Sequence, residues 1–320
     1  MSTTIQPQID LREAVTAAIR APSMHNSQPW RFRLREGGID VYADPARRLP
    51  VSDPSGWATR IACGAAIYNL RLAFAVQGAP AVVEVRPDLT DPDLMARVRP
   101  GPARPATPAE RDQYAAIWRR HSNRLPFWPD PVPGDARARL IAAARAEAAW
   151  LELLIGPGPL AAVSEIAHAA HRVLHRDPEY ATELTDWTRH AAAPDGVPAA
   201  AGGPSPEPTD LLPGRPFGSR PRAAGRDFEA DPLVAVLGTA SNSPSDQIRA
   251  GQALQAVLLT VTDAGLAASM HSQPIEVPAA RERLRTALGR FGTPQMVLRI
   301  GYGQPGYPTP RRDPADVIEP

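Results

Sequence analysis

The sequence predicts an α+β protein made of two related halves that pack around a pair of central helices. Two stretches of equal length, Gly64–Gly78 and Gly251–Gly265, begin and end with glycine and carry apolar residues at matching positions, such as Ile67 and Leu254. Both are mostly apolar on every side, which is typical of helices inside a core or an interface. Each lies in a block of alternating helical and extended patterns. We therefore favour a duplication, with chance similarity between two Ala/Leu-rich helices as the alternative.

Composition limits the classes of function. The 320 residues are 43% hydrophobic and carry 35 basic against 34 acidic side chains, so the net charge is +1. This balance predicts neither a nucleic-acid nor a membrane partner. All the basic residues are arginine, which excludes any lysine Schiff base or phosphate-loop lysine. A polar N-terminus without a signal-peptide pattern and the absence of a long apolar run predict a cytoplasmic protein.

The first half is predicted to cover residues 1–100. Asp10 is a candidate cap for a helix that Pro22 stops, and Gly37-Gly38 is typical of a hairpin turn between two alternating strands. The predicted elements are a helix over 10–20, strands over 30–34 and 39–43, a long helix over 59–77 and a strand over 81–85. Prolines and charges over 86–108 predict a linker.

The second half is predicted to cover residues 108–320. The same periodicity rules predict helices over 108–120, 133–148, 160–175, 178–192, 244–264 and 278–288, and strands over 150–155, 233–237 and 295–300. Residues 193–232 contain nine prolines and little periodicity. A loop of this length inside a domain is functional or disordered, and its prolines favour an ordered lid over a floppy linker.

Two segments carry residue types suited to binding a flat, phosphorylated molecule. Residues 21–30, Ala-Pro-Ser-Met-His-Asn-Ser-Gln-Pro-Trp, form a turn whose backbone and amide groups suit the polar edge of a heterocycle, although a satisfied structural turn is the alternative. After the helix over 108–120, Arg120, Ser122 and Arg124 alternate on an extended stretch and point the same way. A guanidinium–hydroxyl–guanidinium row suits an anionic phosphate and a polyol, and a solvated charge cluster is the alternative.

Four segments resemble motifs of the FMN-dependent nitroreductase family, in the family's order. The turn is similar to its P-S-x-x-N-x-Q-P-W segment, and the arginine run to its R-x-S-x-R/K opening motif. Gly-Leu-Ala-Ala-Ser over 265–269 with Pro-Ile-Glu over 274–276 resembles its G-x-x-S…P-I-E-G stretch, with Val277 in place of the last glycine. The final strand and Arg311-Arg312 resemble its last strand and basic tail.

The resemblance implies an FMN site built from these segments. In the family the arginine run clamps the phosphate, the ribityl chain and the N1/O2 side of FMN, the P-I-E-G backbone reaches flavin N5, and the basic tail reaches the phosphate. Carried over to this sequence, the expected cofactor-binding residues are Pro22, Ser23, Met24, Asn26, Gln28, Arg120, His121, Ser122, Arg124, Gln273, Pro274, Ile275, Glu276, Arg311 and Arg312.

The motifs are divided unequally between the halves. The family's homodimers build each site from both subunits, whereas here the first half carries only the P-S-x-x-N turn and the second half carries the other three segments. This division resembles the actinobacterial Acg-type branch of the family, a fused pseudo-dimer with a lid. It implies one complete FMN site per chain, noncovalently occupied, and a vestigial second one.

The resemblance also implies a reaction. NAD(P)H would be the electron donor, and a small nitroaromatic, quinone or related acceptor would receive two electrons in ping-pong order. No side-chain acid or base is required, so no catalytic residue is nominated. Two alternatives stay open: an Acg-like flavin-sequestering or storage protein, and a biosynthetic flavin oxidase or dehydrogenase. The sequence is compatible with either a monomer or a homodimer. It also does not distinguish NADH from NADPH as the electron donor.

Other candidates carry less weight. His168, His171 and His175 share one helix face, but without supporting carboxylate or Cys spacing we expect no metal site. His25 and His271 lie inside the flavin-like segments and are more typical of hydrogen-bonded structural histidines. Cys63 is predicted to be a small buried residue. The sequence has no G-x-G-x-x-G pattern, so a Rossmann domain is not expected.

Overall fold

The first sheet and its helices come from the N-terminal third of the chain. The computed structural model describes residues 7–218 and 232–319. The Asp10 carboxylate caps the first helix by accepting hydrogen bonds from the Arg12 and Glu13 amides. The elements of this third are α1 Leu11–Ala18, β1 Trp30–Arg35, β2 Gly38–Ala43, α2 Trp57–Val76, β3 Ala81–Val85 and β4 Leu94–Pro100.

The rest of the chain builds a second sheet, the helices around it and a returning tail. Thr107 and Glu110 form a reciprocal capping box at its first helix. Its helices are α3 Pro108–Ile117, α4 Gly134–Ala146, α5 Pro157–His175, α6 Pro178–Asp186, α7 Pro244–Asp263, α8 Gln273–Glu276 and α9 Pro278–Leu288. Its strands are β5 Trp150–Leu154, β6 Thr188–Arg189, β7 Val197–Pro198, β8 Leu233–Thr239, β9 Ala267–His271, β10 Thr293–Gly301 and β11 Ile318–Glu319.

The two main sheets share one topology. The strand order is β1-β2-β4-β3 in the first and β5-β8-β10-β9 in the second, and every neighbouring pair in both is antiparallel. In each sheet a 20-residue helix, α2 or α7, follows the second of these strands along the chain. A shorter helix precedes each set, α1 packing on α2 and α4 on α7. The predicted α+β duplication is therefore confirmed by the architecture, while the residue limits of the halves stay a prediction.

The paired central helices α2 and α7 hold the two sheets together. Both are buried over most of their length. Polar side chains bridge them inside the apolar contact: the Gln255 amide donates a 2.8 Å hydrogen bond to Asn69 Oδ1, and Arg60 Nε donates to Gln247 Oε1 at 2.5 Å. Since buried polar groups are tolerated only when paired, these bridges fix the register of one helix on the other.

The sequence analysis did not predict five of the eleven described strands, namely β4, β6, β7, β9 and β11, and it extended one helix too far. The expected linker over 86–108 contains β4, whose Met95, Ala96 and Val98 are buried between β2 and β3. Flanking prolines and charges masked its alternation, although β3, one of its two partners, comes directly before it in the chain. β6, β7 and β11 contain two residues each, which is too short for a periodic signal, and β9 lies in the stretch that was interpreted as a flavin motif. The helix expected over 178–192 ends at Asp186 and is followed by β6.

The C-terminal tail returns to the first sheet. β11 pairs in parallel with β1, with Ile318 opposite Phe32, so the first sheet has the order β11-β1-β2-β4-β3. This crossing carries residues 310–312 past the turn that precedes β1. Within the described ranges, no helix has both the length and the apolar character needed to cross a membrane.

Candidate functional site

A cavity of about 720 Å³ lies where the two sheet-and-helix units meet. Its walls come from the turn at 22–25, from the start of α2, from Leu254 of α7, from the end of β9 and from residues 203–217. The volume falls in the range of about 300–1,000 Å³ that is common for small-molecule sites. The cavity therefore joins the turn of the first unit to the flavin-like segments of the second.

The turn before β1 is held in an unusual backbone conformation. His25, Asn26 and Gln28 have φ values of 52°, 54° and 52°, a left-handed region in which glycine is much less costly. The Ser23 hydroxyl closes the turn by accepting a 2.9 Å hydrogen bond from the Gln28 amide. Glycine would adopt this conformation with less strain, so the presence of three other residues indicates that their side chains are needed.

Pro22, Ser23 and Met24 line the cavity, whereas Asn26 and Gln28 face away from it and tie other segments to the turn. The Asn26 amide donates to the Gly196 and Pro310 carbonyls at 2.9 and 3.1 Å. The Gln28 amide donates to the Pro194 carbonyl, and its Oε1 accepts from the Arg312 backbone. These two predicted site residues thus anchor the C-terminal tail and the start of the proline-rich segment.

Two arginines from opposite ends of the second unit converge beside this turn. Arg120 and Arg311 both donate to the backbone carbonyl of Arg20, and Arg311 also donates to that of Ala21 and to Asn26 Oδ1. Burial lowers the pKa of Arg120 to about 10, and burial with nearby Arg120 and Arg20 lowers that of Arg311 to about 9.

Neither guanidinium is neutralised by a residue that the structure describes. Among the described residues no carboxylate pairs with Arg120 or Arg311, and the Nε atom of each is buried without a hydrogen-bond partner. Burying like charges together without a counter-ion is unfavourable. The arrangement is therefore suited to an anion.

The other residues of the arginine run occupy different places. Arg124 lines the cavity, lies over the Phe217 ring at 5.0 Å and donates to the Ala201 carbonyl; burial lowers its pKa to about 10. Ser122 forms a parallel bridge with Ala268 at the end of the second sheet. His121 is exposed, and partial burial with the nearby arginines, Arg120 first, lowers its pKa. Among the four predicted residues of this arginine run, it is Arg124 that lines the cavity.

The stretch after β9 forms the short helix α8. Gln273 lines the cavity and donates to His171 Nδ1 at 3.2 Å, while Pro274 and Ile275 are buried behind it. Glu276 is ion-paired with Arg215, which also donates to Ser272 Oγ at 3.0 Å. Arg312 lies farther out, 3.8 Å from Asp44.

The sequence analysis missed functional residues in the proline-rich segment. Residues 203–217, with Arg215 and Phe217, form one wall of the cavity, and Gly203 lies so close to the Arg124 backbone that a Cβ there would be 2.5 Å from its carbonyl oxygen. Trp57 and His168 also line the cavity. An arginine and a phenylalanine inside a proline-rich loop were a visible signal, but their targets lie far away in sequence. The part of the expected lid over 219–231 lies outside the described residues.

The remaining histidines do not form a metal site in the part of the chain that the structure describes. His168 binds the Asp210 carbonyl at 2.7 Å and His171 binds Gln273, and no cluster of three metal-binding side chains occurs within these ranges. His25 and His271 both line the cavity. Cys63 is buried in α2, as predicted, with its thiol 3.6 Å from the Pro29 carbonyl.

The pseudo-symmetric position lacks the turn. In the first unit residues 19–29 connect α1 to β1, whereas residues 147–149 alone connect α4 to β5. The shorter connection has no room for a second P-S-x-x-N turn, and Trp150 packs closely against Gly238 and Gly292 there. The cavity therefore has no duplicate built from the same segments among the described residues.

Comparison with known proteins places the chain in a family. No protein-family model matches the sequence. It is 34% identical, over 100% of its length and 94% of the relative's, to "Putative NAD(P)H nitroreductase Rv3131" of Mycobacterium tuberculosis. It is 31% identical to "Putative NAD(P)H nitroreductase acg" of the same organism, over 96% of this chain and 94% of that protein.

Solved structures give a weaker likeness. The FMN and NADPH-dependent nitroreductase NfnB from sphigopyxis sp. strain HMH is 18% identical, with a TM-score of 0.42, over 65% of this chain and 97% of that one. The sequence identity to the mycobacterial proteins extends over nearly the whole of both chains. The chain therefore belongs to the nitroreductase family, in the branch that includes mycobacterial Acg.

Proposed function

We propose that the protein binds one FMN per chain in the cavity between its two units and uses it in NAD(P)H-dependent two-electron reduction of a small acceptor. The observation that carries the proposal is the buried pair Arg120 and Arg311, which no described carboxylate neutralises. A phosphate monoester supplies the two negative charges that such a pair requires. The printed names of the mycobacterial relatives, each "Putative NAD(P)H nitroreductase", support the same proposal.

The residues present fit the parts of FMN. Arg120 and Arg311, which lie beside the turn and are not part of the cavity wall, would hold the phosphate at the edge of the cavity, and Arg124 would lie beside the pyrimidine edge of the ring. The rigid turn at Pro22–Met24 would meet the ring from the first unit and Gln273 from the second. The lining mixes apolar and polar surface, as a flat amphipathic ring requires.

When bound, FMN would supply the redox chemistry, a two-electron transfer from NAD(P)H to the acceptor. The protein would bind and orient it and exclude water from the cavity. Arg124 would provide a fixed positive charge that stabilises negative charge on the ring. The proposed acceptors are nitroaromatics, quinones and related flat molecules, which would use the same cavity as NAD(P)H in turn.

The first test is the identity and amount of the cofactor. Mass spectrometry of the released cofactor, with absorbance for stoichiometry, should give FMN at one equivalent per chain. FAD, or two flavins per chain, would contradict the proposed site. Anaerobic mixing of the holoprotein with NADH or NADPH should then bleach the flavin absorbance, and adding a nitroaromatic or quinone should restore it.

Flavin sequestration is the second candidate function, and the contacts that hold the segment 193–218 in place favour it. This segment is held by hydrogen bonds from Asn26, Gln28 and Arg124 and by the buried ion pair between Arg215 and Glu276. Because these contacts hold the segment in place over the cavity, it would also hinder entry of the nicotinamide ring. Persistence of flavin absorbance after minutes with excess NADPH, in a protein that holds FMN tightly, would favour sequestration over reduction.

A further inference from the structure

His271 lies at the end of β9 with its ring against the cavity. The residue is 8% exposed and lines the cavity together with Ser269, Ser272 and Gln273. Its β10 partner in the sheet is Val297, which fixes the backbone that carries it. The imidazole is therefore a rigidly placed polar group in an otherwise closely packed wall.

Burial favours the neutral form of the ring. Burial is the largest cause that lowers its pKa to about 3, and Arg299 is the next. A neutral imidazole has one N–H donor and one nitrogen with a lone pair. The Pro213 carbonyl is close enough to raise this pKa slightly, and because proline has no N–H that backbone group can only accept, which favours the tautomer whose N–H points toward it. The other ring nitrogen is left as an acceptor.

That acceptor has no protein donor among the described residues. No described side chain or amide donates a hydrogen bond to the His271 ring, and its Nε2 is buried without a partner. The nearest charged groups are arginines, but Arg299 donates to the Leu125 carbonyl and stacks on Phe127, and Arg215 is engaged by Glu276. A buried acceptor without a donor is costly, and since the described residues supply none, a ligand in the cavity is well placed to do so.

We propose that His271 is the hydrogen-bond acceptor for an N–H or O–H group of the molecule bound in the cavity. This inference rests on the proposed function, because it assumes that a ligand fills the cavity. Two ligands can supply the donor. One is the flavin itself, whose oxidised ring carries an N–H at N3. The other is a hydroxyl group on the acceptor molecule. His271 is a specificity-determining residue in either case.

The flavin arm of the test compares FMN with N3-methyl FMN, which lacks the donor. Fluorescence titration measures the Kd of both for the wild type, His271→Phe and His271→Gln. If N3–H is the donor, the wild type should prefer FMN by about tenfold, His271→Phe should lose this preference, and His271→Gln, whose Oε1 can accept, should recover part of it.

The substrate arm compares 4-nitrobenzyl alcohol with 4-nitrobenzyl methyl ether, which are both neutral and differ by the O–H donor. Their Kd values for the FMN-loaded protein are measured from the change in flavin absorbance. If the hydroxyl is the donor, the wild type should prefer the alcohol by about tenfold, and His271→Phe should remove this preference, whereas the ratio of the Kd values of FMN and N3-methyl FMN should be the same in both proteins.

The outcomes separate this inference from the proposed function. Wild-type protein that binds no FMN overturns both. If the wild type binds FMN, and the Kd ratios of both arms in His271→Phe stay within about twofold of the wild-type ratios, only the role of His271 is overturned. Circular dichroism and thermal unfolding of His271→Phe establish that the variant is folded, and a folded His271→Gln that restores a lost preference supports the acceptor role over mere packing.

Discussion

Gly64 on α2 and Gly251 on α7 face each other at the crossing of the two central helices, in reciprocal contact. A Cβ built on either glycine would lie 2.9 Å from the Cα of the other. It would also lie 2.1 Å from a carbonyl oxygen, that of Ile248 for Gly64 and that of Ile61 for Gly251. Each isoleucine stands three residues before its own glycine. Such reciprocity is the property of an isologous two-fold interface, here within one chain.

The first prediction concerns this crossing. Gly64→Ala or Gly251→Ala places a methyl group against backbone that cannot move without separating the helices, so either should lower the free energy of unfolding by about 1–3 kcal/mol or more. Urea or thermal unfolding measures the change. Gly158→Ala is the matched control, because its Cβ would meet nothing within 4 Å in α5 and alanine favours a helix. Equal stability of Gly64→Ala and Gly158→Ala would contradict the close approach.

This relationship was partly visible in the sequence. The matching glycines of the two helical stretches predicted the duplication, and the helices and strands with strong periodicity were found within a few residues of their ends. β4 and β9 were not found, because prolines and charges beside β4 hid its alternation and β9 lies in a stretch that was interpreted as a flavin motif. β11 could not have been placed at all from Ile318 and Glu319, since two residues carry no periodic signal and the parallel partner is β1.

The candidate site was predictable in composition but not in arrangement. The motifs named Arg120, Arg124 and the turn, yet nothing in the sequence says that Arg311 reaches the Arg20 carbonyl or that Asn26 holds the tail instead of lining the cavity. Arg215 was missed because its partner, Glu276, lies 61 residues away. Local patterns report local structure, and these contacts are set by how distant segments pack.

The second prediction concerns the buried arginine pair. Arg120→Ala and Arg311→Ala should each weaken FMN binding by about tenfold or more, because a charge-assisted contact is worth about 1.5–3 kcal/mol. Binding of riboflavin, which has no phosphate, should change far less. Arg119→Ala removes the exposed neighbouring arginine and is the control. Fluorescence titration gives all the Kd values. If FMN and riboflavin weaken equally, the pair does not bind phosphate.

Arg124→Ala should differ from that pair in the ligand it affects. Since Arg124 lines the cavity beside Phe217 and is not beside Arg311, its loss should weaken FMN and riboflavin alike, by about tenfold or more. The same titration measures both. Wild-type occupancy in the Arg124→Ala protein would remove Arg124 from the site.

A fourth prediction uses the left-handed conformation of Asn26. Asn26→Ala removes three hydrogen bonds and also places an alanine at a φ of 54°, whereas Asn26→Gly removes the same bonds and relieves the backbone. The glycine variant should therefore be more stable than the alanine variant by about 1 kcal/mol, measured by thermal unfolding. Both should be less stable than the wild type. An alanine variant as stable as the glycine one would mean that the turn relaxes to another conformation.

The single cysteine permits a simple check of the buried helix α2. Cys63 is fully enclosed, and burial raises the pKa of its thiol. Because the thiolate is the reactive species, the native protein should react with a thiol reagent such as iodoacetamide far more slowly than the unfolded chain. Mass spectrometry should find one adduct per chain in denaturant and almost none without it. Rapid labelling of the native protein would show that α2 is accessible.

The last prediction decides what the wall over 193–218 does. Its strongest attachment is the ion pair between Arg215 and Glu276, whose side chains are 10% and 2% exposed. Removing one partner of a buried pair leaves an uncompensated charge, at a cost of about 3–5 kcal/mol, so Arg215→Met should detach this wall and make the segment sensitive to limited proteolysis. Combining Arg215→Met with Glu276→Leu removes both charges and should restore much of the attachment.

The FMN content and the rate of flavin reduction by NAD(P)H are then measured in the wild type and in both variants. If the wall obstructs nicotinamide, reduction should be faster in Arg215→Met than in the double variant and the wild type, as expected of a protein that sequesters flavin. If Arg215→Met instead loses a reduction that the wild type performs, while keeping its FMN, then the wall is part of the nicotinamide and acceptor site, and the protein is a reductase.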